Sequence, residues 1–227
     1  MSVLVVTGVA REARSASGSG IETICSGGSP ANLRRLLMKE PLPDITAVIS
    51  FGIAGGLNPA LIPGHVIVAD AIVSRIHRWP TDAAMTDALI AQIQAAEMSV
   101  LRASIAGVDE ALLDPQAKAI SRQRTGGAIV DMESHIAAEY AAERKLPFAA
   151  LRVVCDPADR ALPPLVNEAL HPDGKINYKG VFSSLMQQPG QVGDLFRLMF
   201  DSQTAFAALE KAGRAMRAAL AQTKSPA

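Results

Sequence analysis

Short runs of β-branched and other apolar residues alternate with longer helical patterns along most of the chain. This alternation limits the possible folds more than any other feature. Val3–Thr7, Ala47–Phe51, Val66–Val73, Val100–Ile105, Ala128–Val130 and Ala149–Val154 read as strands. Several are apolar on both faces, as buried parallel strands are. Ala31–Glu40, preceded by the cap pair Ser29-Pro30, reads as a helix, as do Thr81–Glu97, Glu133–Lys145 and Gln203–Gln222. The order predicts an α/β fold: one mixed, mainly parallel twisted sheet flanked by helices on both faces. A single domain over residues 1–227 is expected, long enough to bury a core without disulfides or a structural metal. Pro157–Pro189, with five prolines, Gly174 and Gly180, breaks the pattern and reads either as a binding loop or lid or as a surface excursion.

Charge excludes some functions. The 22 basic and 22 acidic residues cancel, so no overall field favours nucleic acid or an anionic membrane. Cys25 and Cys155 stand far apart and read as reduced thiols. Met1–Gly8 lacks the basic start of a signal peptide, and no apolar run approaches the roughly 20 residues that cross a bilayer. The expectation is a cytoplasmic protein without a membrane span. His65, His77, His135 and His171 show no ligand spacing, so no metal is expected.

Three segments carry chemistry. Ser50-Phe51-Gly52-Ile53-Ala54-Gly55-Gly56-Leu57 follows a strand, and its glycines allow a sharp turn or a close backbone approach to a ligand. Val130-Asp131-Met132-Glu133-Ser134-His135 sits where a strand gives way to a helix. An acid there complements the helix dipole, or a carboxylate such as Glu133 accepts hydrogen bonds from a vicinal diol while Met132 offers a soft apolar surface. Asp156, between a buried strand and Pro157, is either an Asp-Pro turn or, in an apolar pocket, a general acid of raised pKa.

Together these segments resemble the nucleoside phosphorylase and nucleosidase superfamily, which includes purine nucleoside phosphorylases and methylthioadenosine/S-adenosylhomocysteine nucleosidase. Gly52–Leu57 followed by Gly64-His65-Val66-Ile67-Val68-Ala69-Asp70 is similar to the family's glycine run and the strand after it. Val130-Asp131-Met132-Glu133 resembles its ribose motif, and Val154-Cys155-Asp156-Pro157-Ala158-Asp159 its acid motif, with cysteine where serine is usual. Cys25-Ser26-Gly27-Gly28-Ser29-Pro30-Ala31-Asn32 is a weaker echo of another family turn. The matches keep the family order from residue 1 to about 159. Asp156–Pro164 and Thr7–Arg14 look like the hopanoid-biosynthesis-associated branch.

The resemblance implies cleavage of the N-glycosidic bond of a purine nucleoside, with adenosylhopane, an adenine nucleoside with a large apolar tail, as the branch's substrate. It implies Asp156 as the acid that protonates adenine at N7, Glu133 and Met132 as ribose contacts, and Gly8, Arg11, Ala54, Gly55 and Cys155 as further substrate-binding residues. No organic cofactor is implied, phosphate is an optional co-substrate, and a homo-oligomer is expected. The nucleophile stays open between water and phosphate. Glu12 is the only candidate to activate water, yet counting from Gly8 puts Ala13 where the family's acid stands. Gly8, Arg11 and Arg14 fit half of a phosphate site, but Ser50 stands where a second arginine belongs. The segment Pro157–Pro189, with Leu195, Phe196, Leu198, Met199 and Phe200, is expected to form a channel for the tail or simply to be core. Rival readings are a nucleosidase of the methylthioadenosine/S-adenosylhomocysteine type, a nicotinamide-dependent oxidoreductase, which lacks a fitting GxGxxG, and an inactive nucleoside-binding protein of the same fold.

Overall fold

A computed structural model describes residues 2–39, 44–162 and 192–222, with side chains in the last stretch from residue 199. Eight strands, β1 (Ser2–Thr7), β2 (Ile21–Cys25), β3 (Ile45–Gly56), β4 (Val66–Val73), β5 (Arg78–Pro80), β6 (Val100–Gly107), β7 (Ile129–Asp131) and β8 (Phe148–Asp156), form one mixed sheet. The helices are α1 (Ala10–Ala16), α2 (Pro30–Lys39), α3 (Ala83–Ala95), α4 (Pro115–Thr125), α5 (Ser134–Glu143) and α6 (Val192–Gln222). Most of Pro157–Pro189, and the side chains of Leu195, Phe196 and Leu198, lie outside the described residues.

Strand alternation divides the core in two. On β1, Leu4 and Val6 face one side, where α2 brings Leu33 and Leu37 and α5 brings Ile136, Ala137 and Tyr140. Val3 and Val5 face the other, against Leu89 and Ile93 of α3 and Ala205, Leu209, Ala212 and Met216 of α6. Small residues along α6 let that helix lie close. Among the described residues no helix is long and apolar enough to cross a membrane.

The sheet does not stay open. β3 pairs with β8 along most of its length, β8 pairs antiparallel with β4, β4 with β6, β6 with β7, and β7 returns to β3 at Gly55 and Gly56. Five strands therefore form a closed ring. The glycine segment, expected as a turn after a strand, is the continuation of β3 itself, which runs to Gly56. Its glycines serve close approach by neighbouring side chains. No helix N-terminus follows them, which removes the geometry that a dinucleotide site requires.

Candidate active site

The carboxyl ends of β1, β3 and β8 lie side by side in the sheet, and the acids collect there. β1 ends at Thr7, and α1 starts at Ala10 with almost no connecting loop. Glu12 thereby falls in the helix's first turn with its side chain folded back over the entry. Its Oε2 accepts hydrogen bonds from Gly8 N at 2.6 Å and Val9 N at 2.9 Å, and its Oε1 accepts one from Ile53 N at 2.8 Å. One of these bonds is an ordinary helix cap. The bond to β3 is not, and it fixes the carboxylate against the glycine strand. The abrupt start of α1 turns the side chain of Glu12 toward Gly8 and β3.

At the β7–α5 junction the capping is done by Asp131. Its Oδ1 accepts from Glu133 N at 3.1 Å and Ser134 N at 2.8 Å. Glu133 is the N-cap residue, yet its side chain makes no cap hydrogen bond. The dipole reading of this acid is thus met by its neighbour, and the Glu133 carboxylate turns inward. Ser26 Oγ donates to Glu133 Oε1 at 3.1 Å. A methyl group on Gly8 would lie 3.0 Å from Glu133 Oε1 and 3.3 Å from Glu12 Oε2, so the two carboxylates flank the same glycine.

Arg152 holds this cluster together and is wholly buried at 0% exposure. Its Nε stands 2.7 Å from Asp131 Oδ2 and its Nη2 3.5 Å from Glu133 Oε2. Nη2 also donates to Ser50 Oγ at 2.6 Å, and Nη1 to Ile53 O at 3.4 Å. Burial raises the pKa of Glu12; Arg152 and the backbone N–H groups of Ile53, Val9 and Gly8 oppose it. Burial likewise pushes Glu133 up to about 7, with Arg152 opposing and Asp131 and Glu12 adding repulsion. For Arg152 burial works against the charge, but Asp131, Glu133 and Glu12 together hold its pKa above the ordinary value. Sequence reasoning passed over Arg152. An arginine within an otherwise apolar strand was the available signal, since such a residue is buried only with partners.

Space for these groups comes from absent side chains. A methyl on Gly52 would sit 2.5 Å from both Arg152 Nη1 and Glu12 Oε1. Gly52→Ala is therefore expected to displace the cluster, costing about 1–3 kcal/mol of stability by overpacking and most of the activity. Thermal melting and an activity assay check this; a variant with unaltered melting and rate would show that the packing is looser than described.

Asp156 ends β8, four residues beyond Arg152 and so roughly 13 Å along the strand. Gly55 lies between it and β7: a methyl there would meet Asp156 Oδ2 at 3.2 Å and Val130 Cγ1 at 3.3 Å. Val130 leads directly into Asp131, half-buried Met132 and Glu133. Burial raises the pKa of Asp156, Lys118 is the chief opposing influence, and Asp201 adds to the rise. Lys118 Nζ stands 2.5 Å from Asp156 Oδ2.

The other expected contacts divide. Gly8 lies among the acids. Arg11 does not: its guanidinium turns to Glu210 on α6 at 3.3 Å and stacks 4.4 Å over the Phe206 ring. Ala54 is buried in the core on the α2 and α5 side. Cys155 packs into the opposite core, its Sγ 3.5 Å from Ser202 Oγ on α6, and burial pushes its thiol up to about 12. Alternation along β8 turns it away from the face that carries Arg152 and Asp156. Among the described residues no three His, Cys, Asp or Glu side chains group to hold a metal ion.

The architecture is shared with known enzymes. A methylthioadenosine/S-adenosylhomocysteine nucleosidase from Helicobacter pylori superposes with a TM-score of 0.71 at 12% identity, covering 98% of each chain. Futalosine hydrolase of Helicobacter pylori gives a TM-score of 0.71 at 12% identity and the same coverage. The methylthioadenosine/S-adenosylhomocysteine nucleosidase from Neisseria meningitidis reaches 17% identity and a TM-score of 0.71, over 95% of this chain and 98% of its own. No curated protein matches by sequence. The model of the Phosphorylase superfamily, however, matches residues 3–171, which hold every acid of the site. The chain belongs to the Phosphorylase superfamily.

Proposed function

We propose that the protein hydrolyses the N-glycosidic bond of an adenine nucleoside. The observation that carries this reading is the pair of buried carboxylates flanking Gly8, with a third buried acid farther along the same sheet edge. Adenine is a poor leaving group as an anion. Asp156 gives a proton to N7 as the bond from N9 to C1′ lengthens, a transfer worth about 10²–10⁴-fold. The ribosyl fragment gains oxocarbenium character, as in glycoside hydrolysis. Glu133 accepts hydrogen bonds from the ribose 2′ and 3′ hydroxyls, and Met132 packs against the sugar. Water adds to C1′ and loses its proton to Glu12, so the products are adenine and the sugar with a hydroxyl at C1′, still carrying its C5′ substituent.

Water is preferred over phosphate on geometric grounds. The N–H groups of Gly8 and Val9, which would otherwise cradle an anion, are already occupied by Glu12. Two carboxylates beside them repel a phosphate dianion, and Arg11 is engaged elsewhere. Incubating an adenosyl nucleoside with and without phosphate, and separating the free sugar product from its 1-phosphate, tests the choice. Adenine and the unphosphorylated sugar are expected at an undiminished rate without phosphate, and Glu12→Gln is expected to lose about 10²-fold or more. Strict phosphate dependence would overturn the assignment of water.

For the substrate we favour adenosylhopane. Asp156–Pro164 resembles that branch, and Met199 and Phe200, 44% and 64% exposed, precede Asp201 and Ser202, which bond to Arg160 and Cys155 beside the acid. An apolar tail leaving the ribose would find these two side chains nearby. Comparing adenine release from adenosylhopane and methylthioadenosine decides this, and a clear preference for the smaller substrate removes it.

A further inference from the structure

We propose that Lys118 is a positioning residue for the reaction: its amine grips Asp156 and the turn behind it, setting both the direction of the carboxyl group and its readiness to release a proton. The inference rests on the reading of Asp156 as the acid.

Lys118 is the only buried residue of α4, and its side chain is 1% exposed. A lysine in that position calls for an explanation, because lysine is almost never fully buried unless paired. All three donors of the amine have partners: Asp156 Oδ2 at 2.5 Å, Pro157 O at 2.9 Å and Arg160 O at 3.0 Å. Every one belongs to the acid or to the turn that follows it. Leu162 N donates to Leu113 O at 2.7 Å, tying the same turn to the approach to α4. Oδ2 is held, and Oδ1 is the oxygen that Lys118 leaves for the base.

The arrangement also solves a chemical difficulty. A buried carboxyl group with no cation beside it keeps its proton too firmly, whereas proton transfer is most efficient when donor pKa and working pH agree. The charged groups facing Asp156 are Lys118 from α4, Arg160 from the following turn and Asp201 from α6. Arg160 is itself engaged with Asp201 at 2.6 Å. Lys118 is thus the main counterweight to burial.

The test measures kcat and KM against pH for adenine release by wild type, K118M, K118R and D156N. K118M is expected to lose about 10–100-fold in kcat with little change in KM, since a misplaced acid fails in the transition state. Its alkaline limb is expected about 1–3 pH units higher, because without the cation Asp156 stays protonated to higher pH. K118R, which keeps the charge, is expected to return the limb toward wild type. K118Q, which retains a donor for the two carbonyls, carries the same comparison if K118M does not fold. An alkaline limb unmoved in the neutral variants would reduce Lys118 to a packing role and overturn the inference. D156N separates the two failures. A D156N enzyme as active as wild type, or an inactive wild type, defeats the reading of Asp156 and the inference with it. An inactive D156N beside an unmoved K118 limb defeats only the latter.

Discussion

Asp156→Asn should lower kcat for adenine release by about 10²–10⁴-fold while leaving KM nearly unchanged. The amide keeps the shape of the side chain and can still accept from Lys118, which reaches Oδ2 at 2.5 Å. It can even point a hydrogen at N7. What it cannot do is surrender that hydrogen as the glycosidic bond breaks, so binding persists and chemistry stops. The loss lies in the transition state, which is the signature of a proton donor as opposed to a binding contact. Steady-state release of adenine measured by absorbance, with nucleoside binding measured separately, distinguishes these. Retention of a tenth or more of the wild-type rate would sink the role.

Arg152→Met should be the most damaging substitution for the fold. Glu12, Asp131 and Glu133 surround this one guanidinium. Methionine fills much of the volume but leaves buried carboxylates uncompensated, and breaking a buried pair in this way costs about 3–5 kcal/mol. The sign of the pH dependence follows from the raised acids. The native pKa of Glu133 is about 7, above its ordinary value of 4.5. The folded state therefore binds that proton more tightly than the unfolded state does. Its contribution to stability is complete below about 4.5 and is lost as pH rises through 7. Arg152 pulls both Glu12 and Glu133 down, so its removal raises them further and extends the loss to higher pH. Urea unfolding at pH 5 and pH 8 should accordingly show the larger deficit at pH 8. Equal deficits at both values would mean that the charges are not what Arg152 holds in check.

Much of the fold is legible in the sequence. The six apolar runs are β1, β3, β4, β6, β7 and β8; all but β6, whose first half is partly exposed, are buried along most of their length, and such strands are nearly continuous in apolar residues. β2 and β5 escaped notice for the opposite reason: they lie at the sheet's margins, where Glu22 and Arg78 are exposed and no apolar run forms. Helix α4 escaped because it buries only Lys118, which gives no periodicity to detect. Its ends were readable, with Asp114 capping Ala117 N at 2.8 Å, Pro115 in the first turn and Gly126 in the left-handed region at φ 69°. A register count from Gly8 points to Ala13, whereas α1 begins almost directly after β1 and brings the Glu12 carboxylate against Gly8 and Ile53. Arg11, Ala54 and Cys155 were carried over from motif neighbourhood alone, and neighbourhood does not say which way a side chain turns.

Closing five strands on one another leaves the molecule few places to recruit a foreign strand. Of the described sheet, β2 and β5 are paired on one side only, as is the first half of β6, which pairs with β4 alone until β7 joins it at Ile105. β5 is three residues long and contains Arg78 and Pro80; β2 is five long with a carboxylate at Glu22. Brevity, charge and proline are the usual safeguards against edge-to-edge polymerisation. Among the described residues, edge-to-edge pairing is therefore disfavoured at β2 and β5.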